Sequence, residues 1–158
     1  MNGLLLHRVL ASDAPPATLL IRLLVGLVFL SEGIQKFLFS GDLGVGRFTK
    51  IGLPSPEILA PFVGMVEIGA GALVLLGLFT RPASLALVFI MLVAIASTKV
   101  PIFLREGFWK MAHESRTDWS MLLGSLFLLR VGAGPWSLDA RLTRAAVPPG
   151  SGNGGGSE

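Results

Sequence analysis

The chain has 158 residues, of which 52% are hydrophobic and only 15% charged, with a mean hydropathy of +0.71. A soluble domain carries roughly 25% charged residues, so this composition excludes a water-soluble globular domain and indicates an integral membrane protein. The net charge of +3 comes from basic residues spread among the predicted loops, which favours contact with anionic lipid head groups and argues against nucleic-acid binding.

The first apolar run follows an N-terminal lead-in at residues 1–17 and occupies residues 18–39. This run is long enough to cross a bilayer, for which ~20 residues suffice. Arg22 lies about one turn inside it, where its side chain can snorkel to the near interface. Gly26 and Gly33 share one helix face, which permits close approach of another helix.

Three further apolar runs predict that the chain crosses the membrane four times. Gly64, Glu67 and Gly71 fall on one stripe of the second run, which favours packing of that stripe against a neighbour. Short connections predict an all-α, antiparallel up-down bundle of four transmembrane helices. The predicted spans are residues 18–39, 57–79, 83–100 and 118–134. Residues 18–134 thus form the transmembrane domain, and residues 135–158 are predicted to be a flexible C-terminal tail.

The two longer connections are predicted to contain short interfacial segments. Residues 45–51 are predicted to form an amphipathic turn, with Phe48 and Ile51 toward lipid and Arg47 toward head groups. An ordinary solvated loop is the alternative. Residues 101–117 interleave aromatic and charged side chains, which is typical of an interfacial or partly re-entrant segment. The basic residues of these two loops favour a cytoplasmic location for them.

Ionisable residues inside the spans are the candidates for function, because they are costly there and usually face protein or water. Glu32 and Lys36 are four residues apart and can pair on one helix, while Glu67 lies roughly 15 Å into its span. Alternating spans place these residues in one half of the bundle. The predicted polar pocket consists of Glu32, Lys36, Glu67 and Lys99, with His113, Glu114 and Asp118 as loop contributors.

Structural explanations of the same residues remain open. A buried Glu–Lys network can fix helix register without chemistry, Lys99 can snorkel, and His113 can be an ordinary interfacial histidine. The chain has two histidines and no cysteine, so we expect no metal site and no dithiol redox chemistry. No catalytic motif is present, and the chain is expected to be at most a subunit of an oxidoreductase complex.

The sequence resembles the DoxX family of membrane proteins over most of its apolar part. The resemblance implies a four-helix, multi-pass protein of the bacterial plasma (inner) membrane, with Arg22, Gly33, Lys36 and Glu67 at family-pattern positions. Glu32 departs from the small residue or histidine often found there. The matching segments are IRLL at 21–24, EGIQKF at 32–37, IGLPSP at 51–56, VEIGAG at 66–71, LGLFTR at 76–81 and GAGPWSLD at 132–139.

Because the family name derives from a subunit linked to quinone-coupled sulfur oxidation, the resemblance implies an accessory component of a redox system. Such a component would have no intrinsic cofactor, would bind a quinone in the polar pocket and would take electrons from a soluble or membrane redox protein. The alternative is a non-catalytic scaffold or assembly factor that docks a partner through its loops. A small-solute or proton transporter is disfavoured by the lack of an internal repeat. The glycine-rich faces are also consistent with a homodimer in contact with membrane lipids.

Overall fold

The computed structural model describes residues 10, 12 and 14–145, and this part of the chain is helical without strands. Three of the described helices, Thr18–Leu38, Pro56–Leu76 and Thr80–Glu106, are long and apolar enough to cross a membrane. The described helices are α1 (Thr18–Leu38), α2 (Val45–Lys50), α3 (Pro56–Leu76), α4 (Thr80–Glu106), α5 (Phe108–Glu114), α6 (Arg116–Val131) and α7 (Leu138–Ala145). The all-helical prediction is confirmed for these residues.

Helix α6 corresponds to the predicted fourth span. It has 16 residues, or about 24 Å at 1.5 Å per residue, against a hydrocarbon core of ~30 Å. A fourth crossing therefore stays a prediction.

Helix α4 extends further than the sequence analysis predicted. The third span was expected to end at residue 100, before Pro101, but the helix continues through this proline to Glu106. A proline removes one helical hydrogen bond without preventing continuation, and membrane helices tolerate it where the surroundings compensate. The helix ends instead at Gly107, whose φ of 84° takes the backbone out of the helical region.

Helices α1 and α3 pack backbone to backbone through the predicted glycine faces. A Cβ atom on Gly33 would lie 2.7 Å from the carbonyl oxygen of Gly64, and one on Gly71 would lie 2.9 Å from the backbone nitrogen of Leu30. Gly26 is in the same contact, since its own Cβ would lie 3.0 Å from the carbonyl oxygen of Gly71. The prediction of close approach is confirmed.

Gly71→Ala is expected to lower the free energy of unfolding by about 1–3 kcal/mol, because the added methyl group forces the two backbones apart. Gly69→Ala is the matched control, since nothing lies within 4 Å of its Cβ position. The control should be neutral or stabilising by up to about 1 kcal/mol through helix propensity. Denaturant unfolding in mild detergent measures both, and equal effects would contradict the packing role of Gly71.

Arg22 joins three parts of the chain at one end of the molecule. It is 2% exposed, and its guanidinium donates hydrogen bonds to four carbonyl oxygens at 2.6–3.2 Å. The prediction that Arg22 snorkels to the interface is therefore wrong. The last turn of α3 has unpaired carbonyls that attract a multivalent cationic donor. The acceptors are Val74, Leu75, Ala133 and Trp136.

Asp139 attaches α7 to the same end of the molecule. Its carboxylate accepts hydrogen bonds from the backbone N–H groups of Phe79 and Thr80, at 2.8 and 3.1 Å, and so caps the first turn of α4. Its own N–H donates to the carbonyl of Gly77 at 2.8 Å. The prediction of a flexible tail from residue 135 is thus wrong for α7, while residues 146–158 lie outside the described residues.

The long helices associate mainly as two pairs. α1 packs chiefly on α3, and α4 packs chiefly on α6. We call α1 with α3 the first arm and α4 with α6 the second arm. The core between the arms contains Val25, Val74, Leu87 and Leu128, which all lie toward the Arg22 end of their helices. The arms are therefore joined tightly at that end, and the opposite half has room for a cavity.

Candidate functional site: a cavity between the two arms

A cavity of about 1080 Å³ lies between the arms; its ionisable residues are in the half away from Arg22, and its apolar wall extends along α4 as far as Pro82. Its walls come from both arms, and most of the lining side chains are apolar. Exposed Phe62, Leu85 and Phe89 are among them, so the cavity is continuous with the outer apolar surface between α3 and α4. The ionisable residues on its walls are Glu32, Lys36, Arg47, Glu67, Lys99 and Asp118.

An ion pair between Lys36 and Glu67 lies on the first arm. Lys36 Nζ is 2.6 Å from Glu67 Oε2, and the two side chains are 11% and 6% exposed. Glu67 lies on α3 between Gly64 and Gly71, which both contact α1, so the lysine meets it across the interface. Attraction between charges is stronger in this desolvated position than at an accessible one.

Glu32 does not form the predicted pair with Lys36. It is exposed, lines the cavity, and has no ion pair or hydrogen bond within residues 14–145. Lys36 is drawn to Glu67 because a buried carboxylate without a cation would be far more costly than an accessible one. Glu32 thus adds a negative charge to the wall without neutralisation by a neighbour.

A second ion pair, between Lys99 and Asp118, lies on the second arm. Lys99 Nζ is 3.2 Å from Asp118 Oδ2 and donates a hydrogen bond to the carbonyl of Glu114 at 3.0 Å. Lys99 is 9% exposed, so the snorkelling interpretation is wrong. Asp118 belongs to the first turn of α6 and lies on the cavity wall.

His113 and the Glu114 side chain do not join this cluster. Both residues are exposed in α5, and neither is on the cavity wall. The Glu114 carboxylate is 3.1 Å from Lys110 Nζ, and the hydrogen bond from Lys110 lowers the pKa of Glu114 below its ordinary value. Glu114 contributes to the site only through its backbone carbonyl.

Helix α2 closes one end of the cavity. Phe48 is buried and, together with Arg47 and Ile51, lies on the cavity wall. The short helix is confirmed, but the prediction that Phe48 faces lipid is wrong. The sequence pattern identified an amphipathic turn without indicating that its apolar side had a protein partner, so Arg47 and Phe48 were missed as site residues.

The chemistry of the cavity is that of a large apolar space whose walls carry two lysines, one arginine and three carboxylates. No cluster of three or more potential metal-ligating residues occurs among the residues that the structure describes. Lysine ammonium groups donate hydrogen bonds, and ionised carboxylates accept them. The arrangement suits an apolar molecule with a polar head.

These features define the class of protein: a small, helical membrane protein with a cavity between its helices that is polar at one end. Comparison with known families gives the particular assignment: the chain belongs to the DoxX family, whose sequence profile matches residues 17–100.

Three curated relatives support this assignment. The chain is 53% identical over 150 residues to the uncharacterised membrane protein Rv3486 of Mycobacterium tuberculosis, covering 91% of this chain and 92% of that protein. It is 32% identical to the putative oxidoreductase CatD of Bacillus subtilis, over 77% and 84% of the two chains. It is 31% identical to the inner membrane protein YphA of Escherichia coli, over 81% and 92%. No solved structure gives a significant match.

Proposed function

We propose that this protein is an accessory membrane component of a quinone-linked redox system and that its cavity binds a quinone-like, lipid-soluble molecule. The observation that carries the proposal is the cavity of about 1080 Å³ with apolar walls and two ion pairs, each with one buried and one partly buried partner. Binding sites for small molecules are typically apolar cavities of ~300–1,000 Å³ with a few polar groups that orient the ligand. The name of the Bacillus subtilis relative, a putative oxidoreductase, agrees with a redox role.

The charges favour a ligand site over a purely structural network. Glu32 has no partner in the described chain, and a lone carboxylate beside two ion pairs is not needed to hold helices together. Lys36 has further donor capacity beyond its contact with Glu67, since an ammonium group carries three protons. A quinone head has carbonyl oxygens that accept hydrogen bonds from such donors.

The proposed setting is the bacterial inner membrane, with α1, α3, α4 and α6 as four antiparallel crossings. Three of these helices meet the length and apolarity expected of a span, and the E. coli relative is named an inner membrane protein. The contact between Arg22, near the start of α1, and Val74, near the end of α3, supports opposite directions for these two helices. The chain lacks cysteine, so a partner redox protein would supply the electrons.

Ala94→Phe is expected to abolish retention of the ligand, because a phenyl ring on the cavity wall occupies the space of the ligand. Native mass spectrometry with lipid extraction, on protein purified in mild detergent, measures the retained molecule. Ala96→Phe is the matched control: Ala96 is exposed on the same helix and is not part of the wall. Retention of the ligand by both variants would contradict the cavity as its site.

Glu67→Gln tests the polar end in the same measurement. Loss of the bound molecule is expected, because Lys36 loses the carboxylate that holds it in place. If neither the wild type nor the variant retains a small molecule and both are equally folded, the quinone proposal for the isolated chain is wrong.

A soluble enzyme that co-purifies without a ligand would then support the scaffold alternative. Trp109, 83% exposed on α5, is the first residue to replace in a test of that docking.

A further inference from the structure

The two ion pairs of the cavity belong to different arms. Lys36 and Glu67 come from α1 and α3, whereas Lys99 and Asp118 come from α4 and α6. Each arm therefore neutralises its own buried charges, and no ion pair crosses the cavity in the described chain. A ligand between the arms meets one lysine–carboxylate pair on each side.

Both lysines keep unused donor capacity toward the cavity. Within the described residues, the Lys36 ammonium group has Glu67 as its one ionic partner, and that of Lys99 contacts Asp118 and the Glu114 carbonyl. An ammonium group has three protons, which leaves two on Lys36 and one on Lys99 without a partner among residues 14–145. Donors in an apolar cavity are stabilised by an acceptor, because unsatisfied polar groups are costly there.

The carboxylates provide the complementary function on each arm. Glu67 and Asp118 accept hydrogen bonds, and both lie on the cavity wall. Each pair thus offers a donor to a carbonyl oxygen and an acceptor to a hydroxyl group. The two pairs together match a head group in its carbonyl form and in its dihydroxy form.

The apolar outlet between α3 and α4 indicates where the rest of such a ligand lies. Phe62, Leu85 and Phe89 line the cavity and are also exposed on the outer surface of the helices. An apolar tail on this path would pass from the polar end directly into lipid, so the ligand has no need to cross the aqueous interface.

We infer that the cavity binds a flat amphiphile with oxygen groups on two opposite edges of its head, one oxygen on each arm, and that its tail leaves between α3 and α4. This inference rests on the proposed function and adds the binding geometry. Lys36 with Glu67 and Lys99 with Asp118 are the two specificity-determining contacts. An analogue with a single oxygen loses one of them.

The test is the dissociation constant of a decyl-substituted 1,4-benzoquinone, measured by equilibrium dialysis on the full chain in lipid nanodiscs. The paired variants Lys36→Met with Glu67→Met, and Lys99→Met with Asp118→Leu, replace each donor and acceptor by apolar side chains, and so remove one contact each without leaving an orphaned charge. Each is expected to weaken binding about tenfold, the effect of one charge-assisted hydrogen bond. Lys110→Met, an exposed lysine outside the cavity, is the control and should not change the affinity.

A decyl aryl ketone with a single carbonyl completes the design. It should bind the wild type about tenfold more weakly than the quinone and respond to only one of the paired variants. If the wild type binds the quinone and either paired variant binds it equally well, two-point binding is wrong while the cavity ligand stands. If the wild type binds no quinone, the proposed function is wrong as well.

Infrared spectroscopy of the wild type gives a readout that does not depend on variants. With ¹³C placed at either carbonyl of the bound quinone, both carbonyl stretches should move to lower wavenumber than in protein-free nanodiscs. A shift confined to one carbonyl would overturn the inference.

Discussion

Replacing Arg22 with methionine is expected to lower the free energy of unfolding by about 4 kcal/mol, among the largest effects of a single substitution. The guanidinium is fully buried and makes four hydrogen bonds to backbone carbonyls. Hydrogen bonds to charged groups contribute roughly 1.5–3 kcal/mol each, and bonds from one group are not additive. The variant also leaves carbonyls at the end of α3 without a donor in a buried position.

Arg22→Lys separates the charge from the geometry of this contact. Lysine keeps the positive charge but cannot reach carbonyls from α3 and from the segment after α6 with one compact ammonium group. We therefore expect it to recover less than half of the loss. Arg141→Met is the control, because Arg141 is exposed on α7, and should change stability by less than about 0.5 kcal/mol. Denaturant unfolding in mild detergent, followed by circular dichroism, measures these variants. If Arg22→Lys were as stable as the wild type, the hydrogen bonds of Arg22 to several carbonyls would not be what stabilises this end of the molecule.

Lys36→Met is expected to cost about 3–5 kcal/mol of stability, because it leaves Glu67 as an uncompensated charge that is 5% exposed. The double variant Lys36→Met with Glu67→Gln should recover most of this loss, since neither buried charge remains. Unfolding of the two single variants and the double variant forms a thermodynamic cycle, and their coupling energy isolates the pair.

Glu32→Gln provides the matched control for this cycle. Glu32 was predicted to pair with Lys36, but the structure leaves it exposed without that partner. Its replacement should change stability by less than about 0.5 kcal/mol and should show no coupling with Lys36→Met. Coupling of Lys36 to Glu32 in place of Glu67 would overturn the assignment of the pair.

Local patterns in the sequence were sufficient to predict much of the framework. Apolar runs of sufficient length predicted α1, α3 and α4 as membrane-crossing helices, because the length and apolar composition of a run are local properties of the sequence. The glycine spacing predicted the close approach of α1 and α3, since residues seven apart share a helix face in any context. Charges in apolar runs are few, and five of the seven residues that the sequence analysis named for the polar pocket lie on the cavity wall.

The partners of those charges were decided by the tertiary structure. Sequence distance favoured Glu32 as the partner of Lys36, but burial of Glu67 on the facing helix made its neutralisation the stronger requirement. The same reason applies to Arg22, whose four acceptors come from segments more than 50 residues away. Phe48 was likewise predicted to face lipid, but the tertiary structure places it on the wall of the cavity. Composition and periodicity thus determined which segments are helical and apolar. The pairing of buried polar groups was decided by contacts between distant segments, because the desolvation of each group depends on the neighbours that the fold brings together.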